Sequence, residues 1–331
     1  MVSRLDRYRG AMLGTLCGDA LGAPYEWKKS AEIKADIERR GGLVPHKFAP
    51  FDYIDPWKGV RQMRAGQPTD DSELAAALAM SLIDSHGLNG EDLFAKLRSF
   101  IIDRKSVLTD LAYGSGSTLK AALTPPTREA SQRLFAAGAI KTPPSNGSLM
   151  RCVAIPLMFG ADTALLIATA RAQSRVTHQN PLSVAACIAY SIMVSLVLSG
   201  NEPVLAWGKT AMTINATTLA DDQAMQQVLK IPMWRVPDDS DIWPPAPRGP
   251  GDAVTSLWAA VWASCYAKDF ADGILKVIGL GGDTDTYAAI AGGILGAHFG
   301  YQGIPAEWKA PLQGREIMER LASQLHEIAL R

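Results

Sequence analysis

Two short stretches of the chain concentrate oxygen ligands. Gly281-Gly282-Asp283-Thr284-Asp285-Thr286 sets two carboxylates and two hydroxyls behind a pair of glycines, and Thr69-Asp70-Asp71-Ser72-Glu73 opens an apolar-periodic run. Hard oxygen donors in this number suit Mg²⁺, Mn²⁺ or Ca²⁺ better than zinc. Each stretch also reads as an ordinary helix start, since Asp70 with Glu73 has capping-box spacing and Asp or Thr after Gly is usual N-cap chemistry. Capping needs one acid. Asp71 beside Asp70 adds like-charge repulsion that capping does not require, so the two stretches are read as halves of one site.

Other polar residues sit at element ends. Glu26 follows Gly22-Ala-Pro-Tyr, and Tyr113-Gly114-Ser115-Gly116 offers exposed backbone N–H groups of the kind that cradle anions. Ser145-Asn146-Gly147-Ser148 precedes an apolar run through Met150, Val153, Ile155 and Leu157 and is expected to open a helix, whose N-terminus would hold an anion. His178 stands at a junction before Pro181 and is either structural or an acid or base near neutral pH.

These groups need rigid elements to hold them. Residues 4–23 read as a helix with glycine at 10, 14, 18 and 22, and the segment after Asp285 carries Ala288, Gly292, Gly296 and Gly300 at the same spacing. Four interior glycines cost a helix about 3 to 4 kcal/mol relative to alanine. Close packing of another backbone must offset that, so the two striped helices are expected to lie together at the centre. Apolar spacing predicts further helices over 74–85, 91–104, about 106–122, 127–138, 161–176, 182–199, 203–213, 221–230, 251–268 and 314–330. Residues 41–68, with Phe48, Phe51, Tyr53 and Trp57, and 231–250, with Trp234 and Trp243, are too irregular for helices and are read as two candidate lips, the rings of the first being otherwise a satellite hydrophobic cluster. Trp258 and Trp262, four apart, suit a core face. No segment alternates with period two, and no linker divides the chain: the expectation is an all-α, compact single-domain multi-helix bundle over residues 1–331.

Composition narrows the partners. Of 331 residues, 33 are Lys or Arg and 33 are Asp or Glu, so no bulk field draws nucleic acid or an anionic membrane and a small or local ligand is expected. Cys17, Cys152, Cys187 and Cys265 are far apart in apolar contexts and are read as reduced, buried thiols of a cytoplasmic protein. Arg4, Arg7 and Arg9 before Ala11–Leu16 imitate a secretory leader, but Asp6 and Asp19 interrupt it. The Gly-rich C-terminal segment is taken as the only uncharged apolar stretch of 18 or more residues, and it lacks a Leu-rich core with basic flanks, so no membrane span is expected.

Taken in order, Gly14 to Glu26 (GTLCGDALGAPYE), Thr69-Asp70-Asp71-Ser72, Tyr113-Gly-Ser-Gly116, Ser145-Asn-Gly-Ser-Leu-Met-Arg151, Thr177-His178 and Gly281-Gly-Asp-Thr-Asp-Thr286 resemble the ADP-ribosylglycohydrolase family over nearly the whole chain. The resemblance implies an all-α fold and two divalent cations, Mg²⁺ or Mn²⁺. It further implies hydrolysis of the bond joining ADP-ribose to a protein side chain or small acceptor. By position it implies Thr69, Asp70, Asp71, Asp283, Asp285 and Thr286 as metal ligands, with Glu26 lining the pocket. It also implies that Tyr113, Gly114, Ser115, Gly116, Ser145, Asn146, Gly147 and Ser148 face the diphosphate and ribose, with His178 beside them. Ser72 stands where Thr is frequent, and Ser148-Leu149 replaces a Gly-Ala pair, which bears on pocket shape. Four carboxylates within a few ångströms repel by about 4 kcal/mol per pair at 4 Å in an effective dielectric of 20, and cations are the natural compensation. Such ions can grip ribose hydroxyls and polarise a water that attacks the anomeric carbon, with Asp71 or Glu26 taking its proton and Asp285 in the same catalytic group. A guanidinium leaving group needs little acid assistance, which favours an arginine linkage.

Two other readings bear on the same residues. A non-catalytic or dual-role module would neutralise an ADP-ribosyltransferase by physical association, but no expected ligand is missing. An all-α phosphohydrolase built on His-Asp pairs fails, because no His is followed by Asp.

Overall fold

The computed structural model describes residues 2–43, 51–55, 59–110, 113–230, 249 and 251–330, with side chains in the 51–63 stretch described from Gln62 onward. The helices in chain order are α1 (Arg4–Gly22), α2 (Ser30–Arg39), α3 (Asp70–Asp84), α4 (Gly90–Ile101), α5 (Ser117–Leu123), α6 (Arg128–Ala136), α7 (Ala154–Phe159) and α8 (Thr163–Ser174). They continue as α9 (Pro181–Leu198), α10 (Pro203–Asn215), α11 (Gln223–Leu229), α12 (Ala253–Cys265), α13 (Phe270–Ile278), α14 (Thr284–Gly303), α15 (Ala306–Lys309) and α16 (Arg315–Ile328). Two strands, β1 (Phe51–Asp55) and β2 (Gly59–Met63), pair antiparallel with Phe51 opposite Met63. The fold is all-α, with this hairpin the one sheet among the described residues; its five-residue strands are too short for a period-two pattern to show, and α2 lies outside the helices expected from apolar spacing.

The glycine stripes decide the centre. α1 and α14 run antiparallel with backbones in contact: a Cβ built on Gly10 would stand 2.2 Å from the Gly296 carbonyl oxygen, on Gly14 2.1 Å from Gly292, on Gly18 1.9 Å from Ala288, and on Gly22 2.3 Å from Thr284. Each step of four along α1 matches a step of four back along α14, so the register is fixed at four successive points. Any side chain there would push the helices apart, and the end of α1 is thereby pressed against the start of α14, where Thr284 donates its hydroxyl to the Gly22 carbonyl at 2.9 Å.

Around this pair the buried apolar side chains form one cluster. α9 corrects an expectation: at 18 residues and mean hydropathy 2.1 it is long and apolar enough to cross a membrane, yet 72% of it is buried inside the fold. Cys17, Cys152 and Cys187 are buried free thiols, whereas Cys265 is half-buried. Phe48, Trp57, Trp234 and Trp243 lie outside the described residues, as do the side chains of Phe51 and Tyr53, but the β1–β2 hairpin falls within the first expected lip, which is therefore not irregular throughout.

Candidate active site

The start of α3 differs from the expected capping box. Thr69, not Asp70, is the N-cap, its hydroxyl accepting the Asp71 amide. Glu73 does not fold back on its own helix; its carboxylate accepts the Ser106 hydroxyl and the Val107 and Leu108 amides, the latter two at 2.9 and 3.1 Å. With both capping roles taken elsewhere, Asp70 and Asp71 point into the interior. Asp283 likewise sits at the N-cap position of α14 without capping it, and its Oδ2 instead accepts the Asn146 amide at 2.6 Å.

Below α3 lies a residue that sequence reasoning left unassigned. Asp19 of α1 is fully buried and accepts four groups: the Thr69 amide at 3.1 Å to both oxygens, the Thr69 hydroxyl at 2.9 Å, the Ser72 amide at 3.0 Å and the Ser72 hydroxyl at 2.5 Å. It clamps the first turn of α3 onto the central helix. The one signal in the sequence was a lone carboxylate inside the apolar, glycine-striped run.

The second half is fixed by a backbone zip. Gly281 and Gly282 adopt left-handed φ of 75° and 82°, which lets the chain run beside residues 27–29. Trp27 donates its amide to the Gly282 carbonyl at 2.6 Å, Gly282 donates to Lys28 at 3.0 Å, and Lys29 bridges Gly281. Glu26 is thus tied to the loop bearing Asp283 and Asp285. Each of these three carboxylates offers an oxygen, all within 4.8 Å of one another.

These groups line a cavity of about 680 Å³, with Asp70, Asp71 and Thr286 also in its wall. Burial first, and then mutual repulsion, raises the carboxyl pKa values: Glu26 to about 8, with Asp283 and Asp70 the leading neighbours, and Asp70 to about 7, with Asp19 and Asp283. Asp71 and Asp285 are pushed well above the usual range by burial and the surrounding carboxylates. Asp71 Oδ1 is buried with no hydrogen-bond partner among the described residues. An oxygen-only donor set that crowds negative charge and leaves a buried oxygen unpaired fits a hard divalent cation.

The lining also includes Ser115, Gly116, Ser145, Asn146, Gly147 and His178, together with the more exposed Trp27, Lys28, Asp36 and Arg40. The remaining expected residues do not line the cavity. Thr69 lies beneath it. Tyr113 is buried and donates its hydroxyl to the Gln62 carbonyl at 3.2 Å. Gly114 supports the wall from behind, at φ 77°, where a Cβ would strike Asp70 Oδ1 at 1.9 Å. Ser148 is fully buried, its hydroxyl 2.9 Å from that of Ser174. Residues 147–153 form turns and helix begins only at Ala154, so the expected helix N-terminus at Ser145–Ser148 is absent. The cause is polar: Asn146 is drawn to Asp283 and Ser256, and buried Arg151 takes the Gly147 carbonyl.

The sequence profile of the ADP-ribosylglycohydrolase family matches residues 1–330. Among curated proteins, the chain is 28% identical over 312 residues to the ADP-ribosyl-[dinitrogen reductase] glycohydrolase of Rhodospirillum rubrum, covering 93% of this chain and 90% of that one. It is 25% identical over 331 residues to the ADP-ribosylarginine hydrolase Tri1 of Serratia proteamaculans, covering 98% and 80%. It is also 25% identical over 353 residues to human ADP-ribosylhydrolase ARH3, covering 98% and 94%. A solved structure described as an ADP-ribosylglycohydrolase-related protein complex superposes with a TM-score of 0.71 at 26% identity, over 99% of this chain and 100% of that one. The chain belongs to the ADP-ribosylglycohydrolase family, a family of hydrolases.

Proposed function

We propose that this member of the family cleaves the glycosidic bond between ADP-ribose and an arginine side chain, on an ADP-ribosylated protein or a small ADP-ribosyl compound in the cytoplasm. The observation that carries the reading is the convergence of Glu26, Asp70, Asp71, Asp283 and Asp285, from three separate parts of the sequence, on one cavity, apart from the arginine-paired Asp36 that also lines it. Glu26, Asp70, Asp71, Asp283, Asp285 and Thr286 are the residues that would hold divalent cations, Mg²⁺ or Mn²⁺, with Thr69 beneath them. When bound, the cations would offset the carboxylate charge and supply Lewis acidity toward the ribose hydroxyls and the attacking water.

The chain's own residues do the rest. Asn146 orients Asp283 by its amide, and Asp19 orients the first turn of α3 through Thr69 and Ser72. Of the two proton acceptors the sequence left open, Glu26 fits better: it is less buried than Asp71 and lies next to the rim, where the neighbouring Trp27 side chain favours its charged form. Asp71 is enclosed by Thr69 and Thr286. The Ser115–Gly116 and Ser145–Gly147 segments supply polar groups where a diphosphate and ribose would lie. Arginine as acceptor draws support from the Tri1 relative and from a guanidinium's small need for acid assistance.

The deciding experiment is a release assay on ADP-ribosyl arginine, serine, nucleobase and free small-molecule substrates, with Mg²⁺ and Mn²⁺. Cation-dependent turnover of the arginine linkage, abolished in Asp283→Ala, is expected. Full turnover by that variant, or turnover confined to another linkage, would overturn the assignment or its acceptor respectively.

A further inference from the structure

Arg151 is fully buried, and its guanidinium bonds four acceptors, none of them a carboxylate: Gln173 Oε1 at 2.9 Å, the Gln173 carbonyl at 3.0 Å, the Gly147 carbonyl at 3.2 Å and Thr177 Oγ1 at 3.0 Å. Thr177, also fully buried, lies 2.7 Å from His178 Nδ1 through the same hydroxyl. A guanidinium has donors only, so Thr177 Oγ1 accepts from Arg151 and keeps one hydrogen to give. His178 Nδ1 is the other group bonded to Oγ1 among the described residues. Were Nδ1 to carry a proton, the threonine hydrogen would be buried without an acceptor, at a cost of about 1–3 kcal/mol. Nδ1 therefore accepts, and the ring proton sits on Nε2. Burial and the Arg151 charge also hold the ring well below its usual pKa.

The other edge of the ring is kept open by a missing side chain. A Cβ on Gly147 would stand 3.1 Å from His178 Nε2, and both residues line the cavity. We propose that Arg151, acting through Thr177, is a positioning residue that fixes His178 as a neutral Nε2–H donor aimed into the cavity. His178 then binds an acceptor oxygen of the substrate, on phosphate or ribose, and neither gives nor takes a proton in turnover. The substrate assignment rests on the proposed hydrolase reading; the tautomer does not.

Long-range ¹H–¹⁵N correlation spectra of the full chain, ligand-free, test it. Wild-type His178 is expected to show the Nε2–H tautomer with no titration across the usual histidine range of about pH 5 to 8. Thr177→Val should let the ring exchange tautomers and lower kcat/KM by about tenfold, the worth of one hydrogen bond. Thr177→Ser should restore both. An Nδ1–H signal, titration of wild-type His178 within that window, or an unchanged tautomer in Thr177→Val would overturn the proposal. A correct tautomer in a chain that turns over no ADP-ribosyl substrate would instead sink the hydrolase reading and leave the relay standing.

Discussion

Gly14 and Gly292 touch through their backbones in both directions: a Cβ on Gly14 would lie 2.1 Å from the Gly292 carbonyl oxygen, and one on Gly292 would lie 2.0 Å from that of Gly14. No rotamer relieves such a clash, because a backbone stands on the far side. Gly14→Ala is therefore expected to lower stability by at least the 1–3 kcal/mol typical of overpacking. It should also lower turnover, since α1 carries Asp19 and leads into Glu26. Gly208→Ala in α10, where nothing among the described residues lies within 4 Å, should instead raise stability by up to about 1 kcal/mol. Urea midpoints of both variants check the pair; equal shifts would mean that the interhelical contact is looser than described.

Asp19 holds Thr69 and Ser72 without reaching the cavity itself. Removing its carboxylate leaves buried amides and hydroxyls without an acceptor and frees the turn that presents Asp70 and Asp71. Asp19→Ala is expected to weaken Mn²⁺ binding by about 10- to 100-fold, as loss of groups that orient ligands commonly does. Calorimetric titration of the folded variant measures this, and wild-type affinity would contradict the clamp.

Trp27 is a bulky residue in the left-handed region, φ 65°, with 61% of its surface exposed. Such a backbone state costs about 1–3 kcal/mol and persists here because the 27–29 and 281–282 segments are zipped together. Trp27→Gly removes the strain and little buried area, so its melting temperature should equal or exceed wild type. Its turnover should fall, because Glu26 loses the neighbouring side chain that favours its charged form. A variant that is both less stable and fully active would refute the assignment of strain to function.

The parts of this site that were legible in the sequence are those set by periodicity or by excess. Glycines every four residues exceed what a helix tolerates, and Asp71 beside Asp70 exceeds what a cap uses. The illegible parts depend on which distant group wins a competition. Asp70 and Glu73 had the spacing of a box, yet Thr69 capped the helix and Glu73 was captured by residues 106–108. Ser145-Asn146-Gly147 had the composition of a helix start, yet Asp283 and Arg151 drew its polar groups away. Asp19 could not be assigned from one dimension, because its four donors lie about fifty residues on and meet it only once α3 has docked.

The carboxylate cluster also fixes how stability responds to pH in protein stripped of cations. Glu26 rises from 4.5 to about 8 and Asp70 from 3.8 to about 7 through burial and then repulsion among the carboxylates, and Asp19 rises from 3.8 to about 6 through burial, against the hydrogen bonds of Ser72 and Thr69. Between the ordinary and the raised values the folded chain holds protons that the unfolded chain has released. Stability must then fall as pH rises through that window, and it is fully retained only below about pH 4 as far as these groups are concerned. The chelated protein should accordingly melt several degrees lower at pH 8 than at pH 5. Mg²⁺ or Mn²⁺ competes with the same protons, so its stabilisation should be largest at pH 8, about 2.7 kcal/mol at 100 times the dissociation constant, and smallest at pH 5. Melting curves across pH with chelator and with each cation give the measurement. Buried His178, held below its usual range, works in the opposite direction. The decisive comparison is therefore with Glu26→Gln: a chelated wild-type profile that falls no more steeply with pH than that variant's would mean that Glu26 is not crowded in the folded protein, and the cation site would lose its physical basis.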